Sequence, residues 1–178
     1  TISVLYQNML DTMYKEEGIG LAAQQVGLAI QFCVIDVPSH PEYPITSILD
    51  GQSLSPQLLM PMCLINPEIQ FLPSDEYYYE EGCLSFPEIK GDVARPEFIS
   101  VQYQDLDGNP HKLECDGLLG RCIQHEVDHL NGCLLYTSDA ADDSLRVDLG
   151  GRRIIKKKKI FFKQKTAYEI GVRLVGSE

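Results

Sequence analysis

The run His125-Glu126-Val127-Asp128-His129 restricts what this chain can become more than any other feature of its sequence. Asp116 is a residue type that starts helices and Asn131-Gly132 one that stops them, so a helix is predicted between them. Histidines four apart on a helix share one face, one turn apart, and can grip one metal ion. Glu126 lies about 100° further round the axis, where it can flank the ion's open side without being a ligand. The bland alternative is a solvent-facing helix that happens to carry histidines and acids. The chain has only 4 histidines, and two of them take this spacing with Glu in this slot, which favours the metal reading.

The third ligand decides which chemistry such a helix serves. The long zinc-protease pattern, His-Glu-x-x-His-x-x-Gly-x-x-His, is matched as far as Gly132, but Leu135 stands where the last histidine belongs. Cys83, in Glu81-Gly82-Cys83-Leu84-Ser85, is the best replacement, because a thiolate is a strong transition-metal ligand and Gly82 permits close backbone approach. Taken alone, Cys83 reads as a small core residue, as most of the cysteines do.

Elsewhere the pattern is that of a mixed fold. Apolar residues at Ile2, Leu5, Met9 and Met13 predict an amphipathic helix from Ile2 to Glu17, stopped by Gly18. The glycine- and alanine-rich run Gly18 to Gly27 suits a tight backbone path, and Ile30 to Val37 reads as a strand. Pro38 to Pro61 is expected to be a long loop with a short helix at Ser53 to Leu59. Cys63 to Phe71, Glu76 to Glu81, Phe98 to Gln104 and His111 to Glu114 read as strands, the last two joined by a turn at Asp107 to Pro110. The expected fold class is α+β: antiparallel β-sheets around a central helix bearing the His-Glu-x-x-His motif.

Three motifs taken together resemble the peptide deformylase family, metallohydrolases that remove the formyl group from the initiating methionine of new bacterial and organellar polypeptides. They are Gly18-Ile19-Gly20-Leu21-Ala22-Ala23-Gln24-Gln25, Glu81-Gly82-Cys83-Leu84-Ser85 and Gln124-His125-Glu126-Val127-Asp128-His129, in that order across residues 1–132. The resemblance implies metal ligation by Cys83, His125 and His129, and acid/base catalysis by Glu126. It further implies oxyanion stabilisation by the Gln25 amide and the Leu84 backbone N–H, and substrate pairing along the backbone of Ile19, Gly20, Glu81 and Gly82. Arg95 and Asp128 match a family pair expected to form a structural salt bridge. The implied cofactor is one divalent ion, Fe(II) by resemblance, although zinc, nickel or cobalt suit the same ligands. The implied partners are N-formylmethionyl nascent peptides, with transient contact to the ribosome; a cytoplasmic monomer is expected, and an organellar one is compatible. Two rivals stand beside this reading: a metallopeptidase of another His-Glu-x-x-His family, and a non-catalytic peptide-binding relative.

Charge supports these limits and divides the chain. Residues 1–132 hold 20 acids against 5 Lys and Arg, whereas residues 133–178 hold 6 against 10. An acidic body disfavours nucleic-acid binding by the core, which depends on neutralising phosphates. No apolar run is long enough to span a membrane, and the opening residues lack a signal-peptide pattern, so a cytosolic, soluble protein is expected. The 6 cysteines are irregularly spaced and do not read as a disulfide framework. Residues 1–132 are expected to form the catalytic domain, cut at its amino terminus because Thr1 lies inside a helical pattern. After Gly132 the sequence resembles translated sequencing-adapter DNA, so residues 133–178 are read as a non-native or disordered tail and left out of the fold reasoning.

Overall fold

The computed structural model describes residues 1–40 and 44–132, with the side chains of residues 86–89 excepted. The expectations for residues 133–178 therefore lie outside the described residues. Helix α1 spans Ile2–Lys15 and helix α2 Gly117–Leu130. The strands are β1 (Gly20–Ala22), β2 (Phe32–Ile35), β3 (Ser47–Leu49), β4 (Gln52–Ser53), β5 (Met62–Phe71), β6 (Glu76–Cys83), β7 (Phe86–Pro96), β8 (Ile99–Gln104) and β9 (Pro110–Cys115). Seven of them form one sheet in the order β1-β2-β5-β8-β9-β3-β4, while β6 and β7 form a separate hairpin. Every pairing is antiparallel, so the fold is α+β, as the sequence pattern predicts.

Strand β2 is buried on both faces, which is why its four residues Phe32-Cys33-Val34-Ile35 are all apolar rather than alternating. Phe32 and Val34 pack with Met9, Leu10 and Met13 of α1. Cys33 and Ile35 pack on the opposite side with Leu119, Cys122, Ile123 and Leu130 of α2. The long sheet is thus sandwiched between two helices, and α2 is held against it by its apolar stripe while its polar stripe is left to line a site.

The structure departs from the sequence expectations at instructive places. Helix α1 ends at Lys15 with the left-handed residue at Glu17 (φ 56°), not at Gly18. The Gly18 N–H closes on the Met13 carbonyl at 2.9 Å and the Glu17 N–H on that of Tyr14, a Schellman stop. Gly18 is needed for space: a Cβ there would lie 2.6 Å from Leu84 Cδ1. The expected loop from Pro38 to Pro61 contains the short hairpin β3–β4, which extends the sheet by pairing Ser47–Leu49 with Leu113–Cys115. Only one 3-10 turn, Pro56–Leu58, stands where the short helix was expected. Asp116 occupies the N-cap position of α2, yet its carboxylate does not cap that helix; it accepts the Thr46 N–H at 2.6 Å and ties β3 to the start of α2. The other end behaves as expected, with Asn131 at the cap and Gly132 at φ 74°.

Candidate metal centre

The two glutamines of the first motif have separate duties. Gln24 Nε2 donates to the Leu130 carbonyl at 3.2 Å, as does Gln31 Nε2, so both satisfy a carbonyl left over at the end of α2. Gln25 is turned the other way. Its Oε1 accepts the Ala22 N–H at 2.8 Å, and its Nε2 donates to Ser85 Oγ at 3.0 Å beside Cys83 Sγ at 3.7 Å. The carboxamide is thereby fixed with its N–H group facing the second motif.

The hairpin and α2 bring the predicted ligands together. One ligand atom each from Cys83, His125 and His129 lies within 4.8 Å of the other two. Cys83 Sγ is 3.2 Å from His129 Nε2, and the two Nε2 atoms are 3.1 Å apart. A thiol and two imidazoles this close, with their lone pairs converging, form a donor set suited to a transition-metal ion. His125 Nδ1 lies 3.0 Å from Glu81 Oε2, a contact that assigns the ring proton to Nδ1 and leaves Nε2 for the ion. The other described cysteines, Cys33, Cys63, Cys115 and Cys122, are buried thiols whose pKa values burial pushes up. They behave as core residues, as expected for most of the cysteines.

Glu81 holds the site's scaffold. Its carboxylate receives Arg95 at 2.7 and 3.0 Å, Arg121 at 2.8 Å and His125 at 3.0 Å. Burial alone would raise its pKa, but these partners outweigh it and lower it to about 2. Arg95 also meets Asp128 at 2.9 Å, the pair read from the sequence. Sequence reasoning treated Glu81 as a backbone contact only, and did not single out Arg121 or Ser85. The signal for Glu81 was present: an acid two residues before a candidate ligand shares its strand face.

Burial raises the Glu126 carboxyl to about 7, despite the lowering influence of His125 and Arg95. Its Oε2 has no hydrogen-bond partner among the described residues, nor has His129 Nδ1. Burial would lower the His125 pKa, but the bond to Glu81 and the nearby Cys83 and Glu126 outweigh it and raise it to about 10; that of His129 falls to about 3 through burial and the neighbouring His125. Gly20 of β1 packs directly on this carboxylate: a Cβ there would stand 2.8 Å from both Cys122 Sγ and Glu126 Cδ. Strand β1 is at the sheet's edge, and Ile19 is turned toward β2, its carbonyl accepting the Asp36 N–H at 2.9 Å.

A thiol and two imidazoles converging beside a buried carboxylate in an α+β fold define a protein with a site for a single metal ion. A family profile described as Polypeptide deformylase matches residues 1–144. The chain is 56% identical to a peptide deformylase of Opitutus terrae over 134 residues, 75% of this chain and 69% of that protein. It is 46% identical to one of Novosphingobium aromaticivorans, covering 75% of this chain and 73% of that one. Among solved structures, the peptide deformylase of Synechococcus elongatus in complex with actinonin superposes with a TM-score of 0.58 at 47% identity, over 71% of this chain and 58% of that one. The Thermotoga maritima peptide deformylase superposes with a TM-score of 0.61 at 38% identity, over 75% of this chain and 77% of that one. The chain belongs to the peptide deformylase family.

Proposed function

We propose that this chain hydrolyses the N-formyl group of N-formylmethionyl nascent polypeptides and releases formate. The observation that carries the reading is the convergence of Cys83, His125 and His129 beside the buried Glu126, within a family whose name specifies that reaction. The residues fit the implied ion by their donor set, by the Glu81 contact that frees His125 Nε2, and by the unpartnered Oε2 of the buried Glu126 next to His125 in α2. When bound, a divalent ion supplies Lewis acidity, polarising the formyl carbonyl and acidifying water. Glu126, with a pKa near neutrality, takes the proton of the attacking water and returns it to the leaving amine. Gln25 Nε2, held by the Ala22 and Ser85 contacts, donates to the oxygen on which charge develops, with the Leu84 N–H as second donor.

The substrate backbone pairs along the free edge of β1 and the neighbouring end of β6. The Ile19–Asp36 bond directs the Ile19 peptide groups inward, so antiparallel alternation turns those of Gly20 outward, to a strand lying between Gly20 and Glu81-Gly82. Such pairing reads backbone rather than side chains, which suits an enzyme that processes many sequences. Fe(II) is the ion we assign by resemblance. The chain acts as a monomer in the bacterial cytoplasm, on peptides leaving the ribosome; the acid excess of residues 1–132 supports peptide rather than RNA as the ligand. No helix among the described residues is long and apolar enough to cross a membrane.

The test is formate release from a formyl-Met peptide by protein loaded anaerobically with Fe(II), with and without a chelator. Chelator-sensitive release is expected. No formate under these conditions, from protein shown to hold metal, overturns the reading.

A further inference from the structure

The metal ligands come from two elements that share no sheet: Cys83 from the β6–β7 hairpin, His125 and His129 from α2. Something must set the register of the hairpin on the helix. On α2, Arg121, His125 and His129 are spaced four apart and lie along one stripe. On β6, Tyr77, Tyr79, Glu81 and Cys83 lie two apart on one face, and Glu81 and Cys83 are its buried members. The two rows meet in order. His129 touches Cys83, His125 touches Glu81, and Arg121 takes the remaining rungs.

Arg121 is 4% exposed, and its guanidinium spans both strands of the hairpin. Nη1 donates to Glu81 Oε1 at 2.8 Å and to the Val93 carbonyl at 2.9 Å; Nη2 donates to the Tyr77 carbonyl at 2.9 Å. The Tyr77 ring lies 4.5 Å from its central carbon and the Tyr79 ring 5.5 Å. The other helix contacts each reach one strand: Gln124 to Pro96, Asp128 to Arg95, and His125 to Glu81. Among the described residues, Arg121 is therefore the helix side chain whose bonds hold β6 and β7 together against α2. Two of its acceptors are backbone carbonyls, so they report hairpin position whatever the side chains are. We infer that Arg121 is the positioning residue that sets hairpin register on α2 and so holds Cys83 at bonding distance from the two histidines.

This inference rests on Cys83, His125 and His129 being the metal set, and the experiment separates the two claims. The full 178-residue chain is loaded with Co(II), and two quantities are read: the thiolate-to-cobalt charge-transfer absorption, and Co(II) affinity by chelator competition. Cys83→Ser should abolish the absorption; if the band survives, the metal assignment itself is wrong. Arg121→Met and Arg121→Lys should each weaken Co(II) binding by about 10- to 100-fold, the usual cost of losing a support behind a ligand. Lysine keeps the charge but lacks the fork that reaches three acceptors, so it should not rescue. If methionine prevents folding, the lysine variant decides. Val101→Ala, in the core on β8, should lower the melting temperature and leave Co(II) affinity at the parental value. Parental affinity and an unchanged band in a folded Arg121 variant overturn the inference, as would an equal affinity loss in Val101→Ala.

Discussion

Replacing Gly20 by alanine adds one methyl group at the most crowded point of the site. Gly20 does not have a positive φ, so alanine's backbone conformation is permitted there and the consequence is one of space. The new Cβ would stand 2.8 Å from Glu126 Cδ and 2.8 Å from Cys122 Sγ, with a carboxylate oxygen closer still. Carbon contacts relax to about 3.5–4.0 Å, so the carboxyl group must retreat by roughly 1 Å. Glu126 is 3% exposed and cannot swing into solvent. A displacement of roughly 1 Å at a reacting group costs about 100-fold in rate, or about 2.7 kcal/mol in the barrier. Overpacking should also lower stability by about 1–3 kcal/mol. The assay is formate release by metal-replete protein below its melting transition, with kcat and KM separated. We expect kcat to fall about 100-fold with metal content unchanged. Gly108→Ala is the control: Gly108 has φ 84° with nothing within 4 Å of a built Cβ, so alanine should cost about 1 kcal/mol of stability and no turnover. Parental kcat in Gly20→Ala would refute the claim that Glu126 acts from the position the structure gives it.

Glu126→Ala should keep its metal, since the ligands are untouched, and lose about 100- to 10,000-fold in turnover; metal stoichiometry and formate release measured together check both halves, and surviving activity would remove Glu126 as the acid/base. His111 joins the β3–β4 hairpin to the β8–β9 turn, with Nδ1 at 2.7 Å from Asp50 and Nε2 at 3.2 Å from Asp105, and these carboxylates raise its pKa above 6.5. The stability from that raised pKa is fully present below about pH 6.5 and is lost as pH rises through the folded value. His111→Gln should therefore flatten the decline in melting temperature as pH rises above about 6.5, leaving formate release unchanged; an identical slope in both proteins would show that the His111 contacts contribute nothing.

How much of the fold was legible follows from which forces leave a mark in sequence. Helices α1 and α2 and strands β2, β5, β6, β8 and β9 were visible because burial imposes a period or an apolar run. Strands β3 and β4 were not, because Ser47–Leu49 and Gln52–Ser53 are too short to show alternation, and their pairing with β9 is a tertiary fact. Strand β7 was missed because Lys90, Gly91 and Asp92 interrupt any apolar pattern in a hairpin whose outer parts face water. Asp116 shows the limit of capping rules: the residue type was right for the position, but the Thr46 N–H offered its carboxylate a partner that no local pattern encodes.

The residues that converge, Cys83, His125 and His129, were legible in the sequence and their supports were not, and the reason is chemical. A metal-binding thiolate or imidazole has few substitutes, so its residue type and spacing announce it. Arg121 and Glu81 act through reach and charge, and a sequence cannot tell a buried arginine from a solvated one. What distinguishes them is the meeting of two periods, four on α2 and two on β6, which is visible only once the elements face each other. Three acceptors on two strands make Arg121 sensitive to a slide of the hairpin by one residue pair, about 7 Å along a strand. Such a slide would put Tyr79 or Cys83 where Glu81 meets the guanidinium, and carry Cys83 away from His129. The same step would leave Arg121 buried without its carboxylate, a loss of about 3–5 kcal/mol. The ionic joint therefore penalises the registers that would carry Cys83 away from His125 and His129, and it does so from one helical turn before the first of those histidines.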